Sequence, residues 1–210
     1  NYPSLYGLCL LLPFIINKQI VIEYSLQFKH WFMCSGQDEE YQFNWLDIFL
    51  TVFALIYFVT ALMPEVGHDA LAMHLFVSGH MAHQHQWGFD AGTYVWAVMP
   101  MLGDWVYSFG YVLGGETASR LFNISFIFAL TRLVRELVFW AGGDNETARW
   151  SNLIFISTPL TFAVGTSLFV ESIWTAFIIA GALIIFRTFS SSENLKSNIP
   201  LAGMFLGFAI

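Results

Sequence analysis

The side chains able to do chemistry are concentrated in residues 64–116. This stretch holds five of the six histidines (His68, His74, His80, His83, His85) and five carboxylates (Glu65, Asp69, Asp90, Asp104, Glu116), with no Lys or Arg. Asp69 follows closely on an apolar run, in the sequence G-H-D-A-L. A carboxylate there is costly if it reaches hydrocarbon, so it should serve water, a cation or a substrate. It would equally suit the N-cap of a helix beginning at 70–75. Glu171 is the only charged residue in 150–186. It reads either as a second acid facing the cavity that contains Asp69 or as a solvated turn between helices. Arg120 begins an apolar run, where a guanidinium can hold a phosphate in a two-pronged grip or snorkel at an interface. His80, His83 and His85 are spaced i, i+3, i+5, so on a helix the first two share a face and the third does not. Imidazole suits Zn, Cu, Ni or Fe. No H-E-x-x-H is present, and a His- and Gln-rich run reads more readily as a hydrated surface segment than as a metal site.

The elements that must position these residues are apolar. The 210 residues are 57% hydrophobic, 18% aromatic and only 11% charged, and the mean hydropathy is +0.61. Soluble domains carry about 25% charged residues. The expected fold class is therefore all-α, a polytopic transmembrane helical bundle, with 64–116 as an extracytoplasmic loop carrying surface helices. A net charge of −7 argues against a nucleic-acid partner. Cys9 and Cys34 fall too far apart for a zinc-type spacing, and a disulfide framework is not expected. The chain starts without Met and stops within an apolar run, so it is read as a single transmembrane domain, 1–210, cut from a longer protein.

Spans are expected at 46–63, 117–140, 151–168 and 172–186, with a last helix beginning after 199 and a shorter apolar segment at 2–16. Pro64 should end the first span, Pro159 and Gly165 interrupt the third, and Glu171 separates the last two. Residues 69–82 have helical character, and 94–113 read as a further helix on or dipping into the membrane. Asp38, Glu39 and Glu40 read as a solvated loop. Lys and Arg favour the cytoplasmic side. Placing 17–45, 140–150 and 187–199 there, helix ends included, gathers seven of the eight basic residues: Lys18, Lys29, Arg132, Arg135, Arg149, Arg187 and Lys196. Arg120 is left at the outer mouth of its span. Residues 64–116 and Glu171 then face outward together.

Four motifs in order resemble membrane glycosyltransferases of the GT-C type. G-H-D-A-L-A-M-H-L resembles their D-A-L-x-Y-H-L element. M-P-M-L-G-D-W-V-Y and L-G-G-E-T-A-S-R-L-F-N are similar to P-x-x-x-E-x-L and L-G-G-x-x-A-x-K-L. S-T-P-L-T-F-A-V-G-T-S-L-F-V-E-S is similar to S-x-P followed by an acid. The likeness runs over about residues 46–190 and points to the polyprenyl- or dolichyl-phosphate-sugar-dependent, protein O-mannosyltransferase-like group. It implies a multi-pass enzyme of the bacterial inner membrane, its site on the outer face, that transfers sugar from a polyprenyl-phosphate donor with inversion. Asp69 then matches the catalytic acid and acts as general base, and His74 matches the motif histidine. Asp104 stands in the family's Glu position, Arg120 in its Lys position and Glu171 in its second-loop Asp position, all three as substrate-binding residues. His68 and Met73 depart from the family's aromatic residues, so the donor sugar does not carry over. Charge on the departing phosphate would fall to Arg120 or to a bound divalent cation, and membrane lipid is the second implied partner. A transporter with an outward-facing acidic cavity is the competing class.

Overall fold

Asn44 and Asp47 start the first helix by capping each other's backbone. The Asn44 side chain accepts from the first turn, and the Asn44 N–H donates to the Asp47 carboxylate at 2.9 Å. The computed structural model describes residues 44–86, 88–90, 92–94, 101–191 and 195–209, together with the isolated residue 4. The expectations for Cys9, Cys34, segment 2–16, Lys18, Lys29 and the 38–40 run lie outside the described residues. Within them the chain is all-helical, with no strand.

Helix α1 is Trp45–Ala61 and stops ahead of Pro64. Ile48, Phe49, Val52, Leu55, Ile56, Phe58 and Val59 are all exposed on it, while Tyr57 and Ala61 are fully buried. A short π-helical segment, Ala70–Leu75, leads into α2, Phe76–Gln84, which ends where His85 turns left-handed at φ 56°. Such one-turn π segments are often found at functional sites.

Helix α3, Leu102–Trp140, is two helical halves that meet at a break with non-helical backbone at Gly114 and Gly115, where the expected division between 94–113 and 117–140 falls. The chain doubles back at these two glycines. Gly115 sits at φ 70°, ψ −158°, a region open essentially to glycine alone. The residues that then meet are paired about the glycines: Ser119 Oγ donates to the Tyr107 carbonyl at 2.7 Å, Tyr107 reaches Asn123, and Phe109 packs edge-on against Phe122. A Cβ on Gly110 would lie 2.9 Å from the Ser119 Cα, so the halves touch backbone to backbone.

Helix α4, Asn145–Ser157, is capped by the Asp144 side chain. Thr158 is extended, and Pro159 opens α5, Pro159–Thr166, from its first position, where a missing N–H does no harm. Pro159 therefore divides the expected 151–168 span into two helices. Gly165 lets α5 press on the core, because a Cβ there would lie 2.7 Å from Tyr57 and 2.8 Å from Ile127. Helix α6, Glu171–Ser191, and α7, Leu195–Phe208, complete the described chain. Among the described residues one helix, Glu171–Ser190, is long and apolar enough to cross a membrane, at 20 residues; Trp45–Ala61 and Asn198–Phe208 are apolar but shorter.

Tyr57, Ala61, Ile124, Ile127, Leu130, Ile156 and Ala176 form the main buried cluster. A second cluster, Ala70, Tyr107, Leu168, Val170 and Ile173, joins the π segment to α3 and to the start of α6. Polar groups gather at the two ends of this bundle. At one end Arg132 and Arg187 share Glu136, Arg149 meets Asp47 at 3.3 Å, and Arg135 donates to Asn145 at 2.6 Å. Trp45 packs on Trp150, and Trp140 on Phe186, at this same end. The opposite end holds Glu65, Asp69, Asp104, Glu116 and Glu171.

Candidate functional site

Asp69 precedes the π segment with a helical backbone, yet its carboxylate makes no capping hydrogen bond. The N-cap expectation is thereby corrected: Gly67 already places its carbonyl for the Leu71 N–H at 2.9 Å, so the turn closes without the Asp69 side chain. The Asp69 carboxylate instead stands exposed, 3.3 Å from the His68 Nδ1. Glu171 is also exposed, at the first residue of α6. Ala70 and Val170, the neighbours of these two acids, lie in one apolar cluster, which brings the two segments together although 102 positions separate the acids.

His74 and Asp104 form a second pair, Nδ1 to Oδ1 at 2.7 Å, with both side chains largely buried. The π segment presents His74 and the first turn of α3 presents Asp104. An acceptor on Nδ1 fixes the proton there and leaves Nε2 to accept. Tyr94 packs on Phe76 and Phe89 nearby. Its hydroxyl donates to the Ala72 carbonyl at 2.6 Å, and burial, then the nearby Asp104 charge, pushes its pKa up. Upstream, Asp90 organises the turn that delivers Tyr94, and hydrogen bonds from the Thr93 hydroxyl and the Gly92 N–H hold its carboxyl below the usual range.

Arg120 lies at the acid-bearing end, beside Glu65, but is buried there rather than open at the mouth of its helix. Its guanidinium is buried and donates to the carbonyls of Met63 and Thr166, with Glu65 at 3.9 Å. A buried guanidinium occupied by carbonyls is not open to a phosphate from outside, so Arg120 holds chain segments together here. The residue it faces, Glu65, is the one that pattern reading passed over. Glu65 accepts from Val66, Gly67, Ser167 and Leu168. Asn123 was likewise missed. Its amide donates to the carbonyls of Val164, Gly165 and Ser167, and its oxygen accepts from Tyr107 and Ser172. Tyr107, in turn, lies within electrostatic reach of Asp104, Glu171 and Glu65.

His80 does not meet a metal partner but stacks against Phe89 at 4.7 Å and Phe76 at 6.0 Å. Among the described residues no three His, Cys, Asp or Glu side chains come together to hold a metal ion. The pairs His68–Asp69 and His74–Asp104 each bring two such groups together.

No family profile, curated protein or solved structure matches this chain.

Proposed function

We propose that this chain belongs to a multi-pass membrane glycosyltransferase that moves a sugar from a polyprenyl-phosphate donor to an acceptor at the outer face. The observation that carries the reading is Asp69: an exposed carboxylate, released from capping, at the acid-bearing end of an apolar helical bundle and close to the segment of Glu171. Supporting it are the four motifs in order and the segregation of Arg132, Arg135, Arg149 and Arg187 to the other end, the pattern of a cytoplasmic face. Trp45, Trp140 and Trp150 at that end suit a membrane interface, and the apolar residues exposed on α1 suit lipid or the isoprenoid tail.

In the proposed step an acceptor hydroxyl attacks C1 of the sugar as Asp69 takes its proton. The C1–O bond to phosphate breaks, its electron pair leaves with the polyprenyl phosphate, and the anomeric centre inverts. Glu171 and the His74–Asp104 pair orient sugar hydroxyls. Arg120 acts inside the protein. The test is transfer of labelled sugar from a lipid-linked donor in reconstituted vesicles. Asp69→Asn keeps the size but removes the base, so turnover should fall by about 10²–10⁴-fold. Near-full turnover in a folded Asp69→Asn protein refutes the assignment.

A further inference from the structure

Glu65 sits where the chain leaves α1 and has not yet reached Asp69. Its side chain is almost wholly buried, with 2% of its surface accessible, and it faces the Arg120 Nε at 3.9 Å. One carboxylate oxygen accepts from the N–H groups of Val66 at 2.9 Å and Gly67 at 2.8 Å and from the Ser167 hydroxyl at 2.9 Å. The other accepts from the Leu168 N–H at 3.0 Å. Its own N–H donates to Glu116. A single carboxylate thus joins segment 65–67 to segment 167–168, and Arg120 reinforces the joint by binding Met63 and Thr166 just before each. Gly67 has no room for a side chain, since a Cβ would lie 2.6 Å from the Ser167 Oγ. From this joint one strand of chain continues two residues to Asp69 and the other three residues to Glu171.

We propose that Glu65 is a positioning residue that registers the Asp69 segment against the Glu171 segment and so sets the geometry of the site. The naming of Asp69 as the base rests on the glycosyltransferase reading; the registration does not. Glu65→Gln cannot replace the carboxylate. Its amide oxygen would be needed by the three donors on one side, which turns the NH₂ toward the Leu168 N–H and Arg120, donor against donor. The charge opposite a buried guanidinium is lost as well. Ser167→Ala is the milder change, removing one donor and keeping the ion pair.

The experiment uses the full-length protein with Cys9 and Cys34 changed to Ser. Spin labels at His68→Cys and Glu171→Cys, both exposed positions, report the separation of the two segments by dipolar EPR. A single narrow distance distribution is expected in the parent, a broad or shifted one in Glu65→Gln, and an intermediate one in Ser167→Ala. In the unlabelled protein, kcat should fall with KM unchanged, by up to about 10²-fold for a misplacement near 1 Å. Variants that lose thermal stability but keep the parent distribution overturn the proposal, because Glu65 would then support the fold without registering the site. If Glu65→Gln does not fold, Ser167→Ala decides on the same criterion. A changed distribution in a protein that transfers no sugar leaves the registration standing and removes the glycosyltransferase reading.

Discussion

Asn123→Ala tests the interior of the bundle most directly. Helix α5 ends at Thr166, and the last carbonyls of any helix lack partners from within it. Those carbonyls are served from another helix: the Asn123 amide donates to Val164 at 2.8 Å, Gly165 at 3.2 Å and Ser167, while Arg120 takes Thr166. The Ala variant removes two N–H donors. The hydroxyls that lose the Asn123 oxygen keep a second acceptor, because Tyr107 and Ser172 both also donate to the Phe169 carbonyl. The net loss is therefore two largely buried hydrogen bonds from Asn123, at about 1–1.5 kcal/mol each, or about 2–3 kcal/mol together. For a chain of this length Tm should fall by about 4–12 °C. Asn123→Asp is nearly the same shape but turns a carboxylate oxygen toward three carbonyls, so it should fall further than Ala. The assay is thermal unfolding in detergent at one fixed scan rate, since such transitions are commonly irreversible. A Tm within about 2 °C of the parent for Asn123→Ala, or Asp more stable than Ala, would refute the capping argument.

Asp144 caps α4 through the Thr147 N–H at 2.8 Å, and that bond, followed by the Thr147 hydroxyl, lowers its pKa below 3.8. Its contribution is thus present above 3.8, the unfolded value, and lost as pH falls through the lower folded value; Asp144→Ala should reduce Tm at neutral pH and converge with the parent in strong acid. Gln86→Cys, without Cys9 and Cys34, should react with an impermeant maleimide in intact cells, and labelling only after permeabilisation would reverse the proposed orientation.

The helices were legible because their signals are local. The apolar run 46–63 ends at Pro64, and α1 occupies most of it. The division of 151–168 was half legible: Pro159 marked the break but not that it opens a new helix. The doubling back of α3 was not, since L-G-G-E reads equally as a loop, and only the contacts of Gly110, Ser119 and Tyr107 decide that the halves pack together. In the site, Asp69 and Glu171 were visible as lone acids beside apolar runs. Glu65 sits nearer the same apolar run than Asp69, and Asn123 lies within a span, but nothing local tells what either one binds. The partners that give them their roles lie far along the chain, Ser167 and Leu168 102–103 positions from Glu65, and 164–167 and Ser172 41–49 positions from Asn123.

The distribution of ionisable groups bears on the choice between transferase and transporter. Within α1 no Asp, Glu, Lys, Arg or His follows Asp47; α3 has none between Arg120 and Arg132, and none lies between Arg149 and Glu171 or between Glu171 and Arg187. Asn123 bonds to α5, Thr131 to the Ile127 carbonyl, Thr51 to the Asp47 carbonyl and Thr60 to the Ile56 carbonyl, while the Asn152 Oδ1 and the Trp174 Nε1 are buried without a hydrogen-bond partner. A translocation path for ions needs ionisable groups at depth, commonly near the midplane where helices are broken. Here the carboxylates are confined to the two ends, with Asp47 and Glu136 of the Arg-bearing end paired with Arg149, Arg132 and Arg187, and the break at Thr158 and Pro159 carries no charge. A reaction that exchanges polar substrates at one face while a lipid tail lies along apolar helices requires that arrangement and nothing deeper. Uptake of a charged solute into vesicles containing the purified protein, abolished by Glu171→Gln, would reverse this preference.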